Sequence, residues 1–379
     1  MRAMALCFVA CAGLCHAAAR GEVSFQSMGI LPGGAYSHAL SLAADGTTLV
    51  GESYDNHWGH APVQWRGGSL SVLRTFQPIT EYQLGEAFAV SGDGSIAAGI
   101  AASGSYIPCT WVNGQYSALP ATPVALRLPI ASGISADGST VIGYGTLDSQ
   151  SRAVSVVWRG GAATQLPGPA TGSIYANDVN GDGSVIVGQA HNTSGFEGAR
   201  WTNGGAPQFL GDLAGGSDYS AAHGVSLDGQ TVVGESYSAS GREAFRWQNG
   251  VMIGLGDVPF PGGMFDSVAT AVSGDGSVVV GWGTRFNGPT WTDAFIWDAT
   301  KGARLLSDVL TGDYGLDLTG WTLSQATDIS TDGRTISGWG VAPDGRETGW
   351  IVHVPSPGAP AVLLAALSAT LGGRRRRAR

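Results

Sequence analysis

The chain has 379 residues, 60 of them glycine, with 43 % hydrophobic and only 13 % charged residues, which excludes a disordered polymer and points to turn-dense strands. Formal net charge is −9, and setting aside Arg2 and the five arginines among the last six residues leaves 14 basic against 29 acidic groups. That balance excludes nucleic acid as a partner, because phosphate binding needs clustered Lys and Arg and Lys301 is the single lysine.

In chain order, residues 1–19 come first: Arg2, an apolar run from Ala3 to Cys15, then His16 and Ala17-Ala18-Ala19. This is the layout of a secretory signal peptide, with cleavage expected after Ala19. Cys7, Cys11 and Cys15 leave with it, so Cys109 alone remains. Neither an intramolecular disulfide nor a Cys-rich metal site is then expected. Val23–Leu31 follows as one extra strand.

A repeat fills the rest of the body. Val225-Ser-Leu-Asp-Gly-Gln-Thr-Val-Val-Gly234 and Val272-Ser-Gly-Asp-Gly-Ser-Val-Val-Val-Gly281 are its clearest copies. Asp-Gly recurs at Asp45, Asp93, Asp137, Asp182, Asp228, Asp275 and Asp332, spaced 48, 44, 45, 46, 47 and 57 residues apart. A tryptophan follows each Asp by 18 to 22 residues: Trp65, Trp111, Trp158, Trp201, Trp247, Trp297 and Trp350. Within one copy, Ala222–Ser226 and Thr231–Ser236 flank an Asp-Gly hairpin turn, Glu243–Trp247 alternates, and Asn249-Gly250 turns into Val251–Leu255. Four antiparallel strands per copy predict a seven-bladed, all-β propeller over residues 20–353. The last copy lacks its fourth strand, so Val23–Leu31 is expected beside Thr348–His353, closing the ring and hiding its edges.

Two places break the repeat. The loop Tyr54-Asp-Asn-His-Trp-Gly-His carries His57, Trp58 and His60, which with Asp55 form a set that could hold a metal, although solvated loop residues are the plainer reading. The insertion Leu305–Gln325 carries Asp313, Tyr314 and Asp317, acids and an aromatic that suit a carbohydrate or an ordinary surface loop. The tryptophans read as core, because they recur at one blade position and an apolar residue stands two positions before six of the seven. Cys109 takes that partner position in the second copy and is expected to be a buried small hydrophobe. The Asp-Gly turns supply too few carboxylates for a calcium loop.

The chain ends on Val354-Pro355-Ser356-Pro357, an apolar stretch to Leu371, Gly372-Gly373 and then Arg374, Arg375, Arg376 and Arg377 before Ala-Arg. The apolar stretch is short of the roughly 20 residues of a stable spanning helix, and the arginines resist crossing, so a transient membrane segment is expected.

Two resemblances follow. Residues 354–379 resemble a PEP-CTERM sorting tail, with Ser356 where that motif has Glu, and the resemblance implies processing by an exosortase-type enzyme at the inner membrane of a Gram-negative bacterium. Ser37-His-Ala-Leu-Ser, Arg242-Glu-Ala-Phe-Arg-Trp and Gly234-Glu-Ser resemble the HAF repeat of bacterial extracellular proteins, over residues 22–354. Together they imply a secreted protein of the cell surface or extracellular matrix.

The function expected is non-enzymatic: a propeller that binds or scaffolds extracellular polysaccharide or a surface protein, with no catalytic residue, cofactor or metal. The alternative is a glycan-active hydrolase or lyase. It requires two carboxylates, or a carboxylate with His or Tyr, converging on the central channel. The innermost strands read as mostly Ala, Val, Ser, Gly and Ile, which argues against it.

Overall fold

Six repeats each fold as a four-stranded antiparallel meander and the last supplies three strands of one, and the turns show why. In the fifth copy Gly215–Val225 and Thr231–Ser238 are joined across Asp228-Gly229. Asp228 Oδ1 accepts hydrogen bonds from the Gln230 N–H at 2.9 Å and the Ser226 hydroxyl at 2.6 Å. Ser226 Oγ in turn accepts the Thr231 N–H at 2.9 Å. The same Asp-to-N–H bond, 2.9–3.0 Å, recurs in all seven copies. Only the glycine of this turn has positive φ, +74° at Gly229, so the aspartate serves through its side chain rather than through a left-handed backbone. The outer turn differs: Asn249 and Gly250 both have positive φ, as a two-residue hairpin of the primed type requires.

The computed structural model describes residues 23–354 except 56–58, 76–83, 103–104, 148–151, 257, 259–264 and 286–290. The signal segment with Ala19, the loop residues His57 and Trp58, and the sorting tail from Pro355 onward, Ser356, Pro357 and Arg374–Arg377 included, lie outside the described residues. Among the described residues no helix is long and apolar enough to cross a membrane.

The architecture is an all-β propeller. The first strands touch one another in chain order, and Tyr36–Leu42 touches Thr322–Ile329, so they enclose a central channel. Ser24–Ser27 lies antiparallel beside Glu347–His353, with Ser24 opposite His353 and Ser27 opposite Trp350. The expectation of seven separate blades needs correction. Five sheets have four strands each, and a sixth has eight. In the large sheet Gly241–Gln248 runs parallel to Phe265–Val272, pairing at Gly241–Phe265 and Arg242–Asp266. The Arg242 guanidinium donates to the Asp266 carboxylate at 2.5 Å across that seam, tying the fifth and sixth repeats together.

The core lies between repeats. All seven repeat tryptophans are buried. Phe245, Trp247 and Val232 of the fifth copy pack with Val185, Val187 and Leu210 of the fourth. Cys109 is fully buried opposite Gly99, as Phe245 is opposite Gly234, and burial pushes its thiol pKa up.

Two backbone devices recur and position the site. A glycine in each second strand (Gly51, Gly99, Gly143, Gly188, Gly234, Gly281, Gly338) sits so close to the first strand that a Cβ would overlap a carbonyl oxygen there, that of His38 or Ala221 for example. Just beyond it each first strand has a register shift, leaving one extra residue such as Leu40, Phe88, Ser132 or His223 aimed at the channel.

Candidate functional site

The residue after each close-approach glycine stands at the end of the ring where the first strands begin. These residues are Glu52, Ile100, Tyr144, Gln189, Glu235, Trp282 and Trp339. Facing them across the strand pair are His38, Glu86, Ile130, Tyr175, Ala221, Val268 and Gln325. One face of the propeller therefore carries acids, histidine and aromatics, although the strands behind it are small and apolar.

Chemistry concentrates where the last, first and second repeats meet. His38 Nδ1 is 3.1 Å from Glu52 Oε1, and its Nε2 is 3.0 Å from Glu347 Oε2. Its ring packs on Trp339 with centroids 4.7 Å apart. His60 Nδ1 is 2.6 Å from Glu52 Oε2 and 3.1 Å from Tyr36 Oη. Tyr36 stacks on Tyr54 at 5.6 Å. Glu86 arrives from Leu84–Val90 of the next repeat, and one oxygen each of Glu52 and Glu86 and one ring nitrogen of His60 lie within 4.8 Å of one another.

The charges follow from these contacts. Burial works against a charged His38, but its hydrogen bonds to Glu52 and Glu347 outweigh that and raise its pKa. With both ring nitrogens facing carboxylates, only the imidazolium can donate to both. Burial likewise opposes ionised Glu52, yet the bonds from His38 and His60 hold it below the ordinary carboxylate range. Glu86 is pushed up, by burial first and then by the charge on Glu52. Tyr36 is pushed up to about 12 by burial and by Glu52, Glu86 and Glu347, so its hydroxyl keeps its proton.

Of the residues singled out in the sequence, His60 belongs to this cluster. It sits on the strand Gly59–Arg66 opposite Tyr54, not in a loop. Asp313, Tyr314 and Asp317 do not join it. Asp313 ends the short helical segment Leu306–Asp308 and Val309–Asp313, whose Leu306, Val309 and Leu310 are buried between the last two repeats, and Tyr314 and Asp317 follow it. Asp313 pairs with Lys301 at 3.2 Å and Arg304 at 3.5 Å, beside the turn 298–302 at the Asp-Gly end of its sheet. Asp317 bonds the Thr319 N–H and hydroxyl at 2.9 and 2.6 Å, and Tyr314 packs on the core. Asp313 thus lies at the end of its blade away from the one where His60 stands.

Sequence reading missed Tyr36, His38, Glu52, Glu86, Trp339 and Glu347 as a group. The signal available was the position after the glycine of each Val-Val-Gly-type run, which reads Glu, Ile, Tyr, Gln, Glu, Trp, Trp around the ring. The innermost strands, read as mostly Ala, Val, Ser, Gly and Ile, also carry titratable groups. Asp178, His223 and Asp328 line the central cavity, which holds ≈ 220 Å³. Asp178 accepts the N–H groups of Val179 and Val225, both at 2.8 Å. Asp328 accepts those of Ile329 and Leu42 at 2.7 Å and the Ser41 hydroxyl at 3.1 Å. Burial raises their pKa values to about 7 and about 6. Both carboxyls are occupied in stapling one first strand to another, which makes the channel a joint and leaves the rim as the better candidate for chemistry.

No family model matches the chain, and no curated protein matches it. Solved structures share its fold. An oligogalacturonate lyase from Vibrio parahaemolyticus is 10 % identical, over 88 % of this chain and 97 % of that one, with a TM-score of 0.58. An oligogalacturonate lyase in complex with manganese is 12 % identical over the same shares, 88 % and 97 %, at a TM-score of 0.52. The β-propeller domain of the Trilobed protease from Pyrococcus furiosus, described as having an open velcro topology, is 10 % identical over 84 % and 95 %, at 0.54. At this identity the likeness shows the fold alone. It still corrects one expectation: two of these propellers are lyases, so an all-β ring of this form gives no ground for excluding an enzyme.

Proposed function

We propose that the chain is an exported propeller of the cell surface or extracellular matrix that acts on a glycan, by hydrolysis or elimination, at the face where the first strands begin. The observation that carries this is the hydrogen-bonded meeting of Tyr36, His38, Glu52 and His60, with Glu86 beside Glu52 and His60 and the half-buried rings of Tyr54 and Trp339 flanking them. Cleaving a glycosidic bond needs a proton for the leaving oxygen and fixed charge where the transition state develops it. Tyr36 keeps its proton and stands at the cluster, while Glu52 is held ionised beside it. Tyr144 and Tyr175, with ring centroids 5.1 Å apart, extend the aromatic character of the same face. The two lyases of the same fold lend the reading their support.

The architecture belongs to the same proposal. The eight-stranded sheet counts as two blades in edge contact, which makes seven around the channel, closed by Ser24–Ser27. The signal segment, the HAF-like repeats and the PEP-CTERM-like tail would then bring an exosortase-processed enzyme to extracellular polysaccharide.

The purified mature chain, incubated with oligogalacturonate and a panel of neutral and acidic bacterial exopolysaccharides, is expected to depolymerise at least one. New reducing ends report either reaction, and ultraviolet absorbance of an unsaturated product marks elimination. Tyr36→Phe and His38→Gln should lower the rate by about 10²-fold or more, the usual worth of a positioned proton donor. An untouched panel, or full activity in Tyr36→Phe, would defeat the proposal.

A further inference from the structure

We propose that Glu52, His60 and Glu86 hold one divalent first-row cation between the first and second repeats. The three donor atoms lie within 4.8 Å of one another and come from three strands of two sheets, Thr48–Asp55, Gly59–Arg66 and Leu84–Val90. Donors on strands are held more firmly than donors on loops. Two carboxylate oxygens and an imidazole nitrogen suit zinc or manganese; calcium would call for six to eight oxygens.

A second, independent feature supports the site. Ligating carboxylates are themselves held by hydrogen bonds from an outer layer of residues. Glu52 has that layer: its other oxygen meets His38 at 3.1 Å, and His38 is fixed from behind by Glu347 at 3.0 Å and by Trp339. Tyr36 Oη, 3.1 Å from His60 Nδ1, lies beside the three ligands without being one of them. Glu86 is half-buried and has no ion pair with lysine or arginine among the described residues. Two carboxylates are thus brought together with histidines alone to offset them, an arrangement that a dication relieves.

With a cation bound, Glu52, His60 and Glu86 act as ligands, and proton transfer falls to Tyr36 and His38. The site is the one assigned to glycan chemistry, but the inference stands without that assignment.

The test is equilibrium dialysis of the chelator-stripped, purified chain against Mn²⁺ and Zn²⁺, with bound metal counted by mass spectrometry. One equivalent is expected. His60→Ala and Glu86→Gln should each weaken binding more than about 10-fold, and His38→Gln about 10-fold through the outer layer. His60 is exposed, so its variant probes the ligand and leaves the core intact. Absence of binding by the wild-type chain, or unchanged affinity in both His60→Ala and Glu86→Gln, would overturn the inference. One bound ion with no glycan attacked would overturn the glycan reading and uphold this one. Depolymerisation that survives chelation, by a chain that binds no ion, would do the reverse.

Discussion

Both ring nitrogens of His38 face carboxylate oxygens, and the pH dependence of stability follows from that. The folded pKa of His38 is raised, so its contribution is complete below the ordinary histidine value of about 6.5 and is lost as pH climbs through the raised one. Glu52 is lowered, so its contribution is complete above about 4.3 and is lost as pH falls through the lowered value. The melting-temperature difference between wild type and His38→Gln should therefore be widest near pH 5–6 and narrow on either side. A gap that widens steadily above pH 8 would contradict the clasp. None of this was legible residue by residue. His38 and Glu347 are 309 positions apart, and only closure of the ring brings them together. Cys109 is the opposite case: its place two residues before Trp111 put it in the core by analogy with Phe245, and there it lies.

The strand pair built on a glycine and a register shift recurs in every repeat. The glycine was visible as part of the Val-Val-Gly pattern, but its purpose was not. It lets the first strand press against the second, which turns the following side chain onto the rim. Gly234→Ala would drive a Cβ into the Ala221 carbonyl oxygen, so backbone must move. We expect a loss of about 1–3 kcal/mol, the usual cost of overpacking, in urea unfolding followed by tryptophan fluorescence. An unchanged midpoint would show that the close approach is not structural. The rim residue itself escaped sequence reading because it varies among Glu, Trp, Tyr, Gln and Ile. Its seven occupants are half-buried or buried among different cross-repeat neighbours, so no single residue type recurs there as valine and glycine do beside it.

Around the whole ring the first and last described strands meet in one sheet, Ser24–Ser27 against Glu347–His353, and Val354 adds a bond from its N–H to the Arg334 carbonyl at 2.7 Å. Cleavage after Ala19 and removal of the residues beyond Val354 would each leave the described strands intact. Surface-released protein examined by mass spectrometry should begin near Arg20 and lack Arg374–Arg379. Recovery of the intact C-terminus on secreted material would show that the tail is not a sorting signal. The joined sheet of the fifth and sixth repeats is likewise a property of the assembled ring, since Arg242 and Asp266 are 24 positions apart.

Local physics settled the repeat from sequence alone: Asp-Gly turns capped by their own side chains, Asn-Gly outer turns, and a buried tryptophan in each copy all depend on neighbours a few residues away. Composition likewise set the all-β class. The candidate site depended on tertiary structure, because it is assembled from the last, first and second repeats, and its charges exist only once burial and cross-repeat hydrogen bonds oppose each other. The expectation that no enzyme is present rested on the average character of the inner strands, and the likeness in fold to two lyases removes that ground. An average over those strands also passes over the few polar side chains that ring closure gathers on one rim.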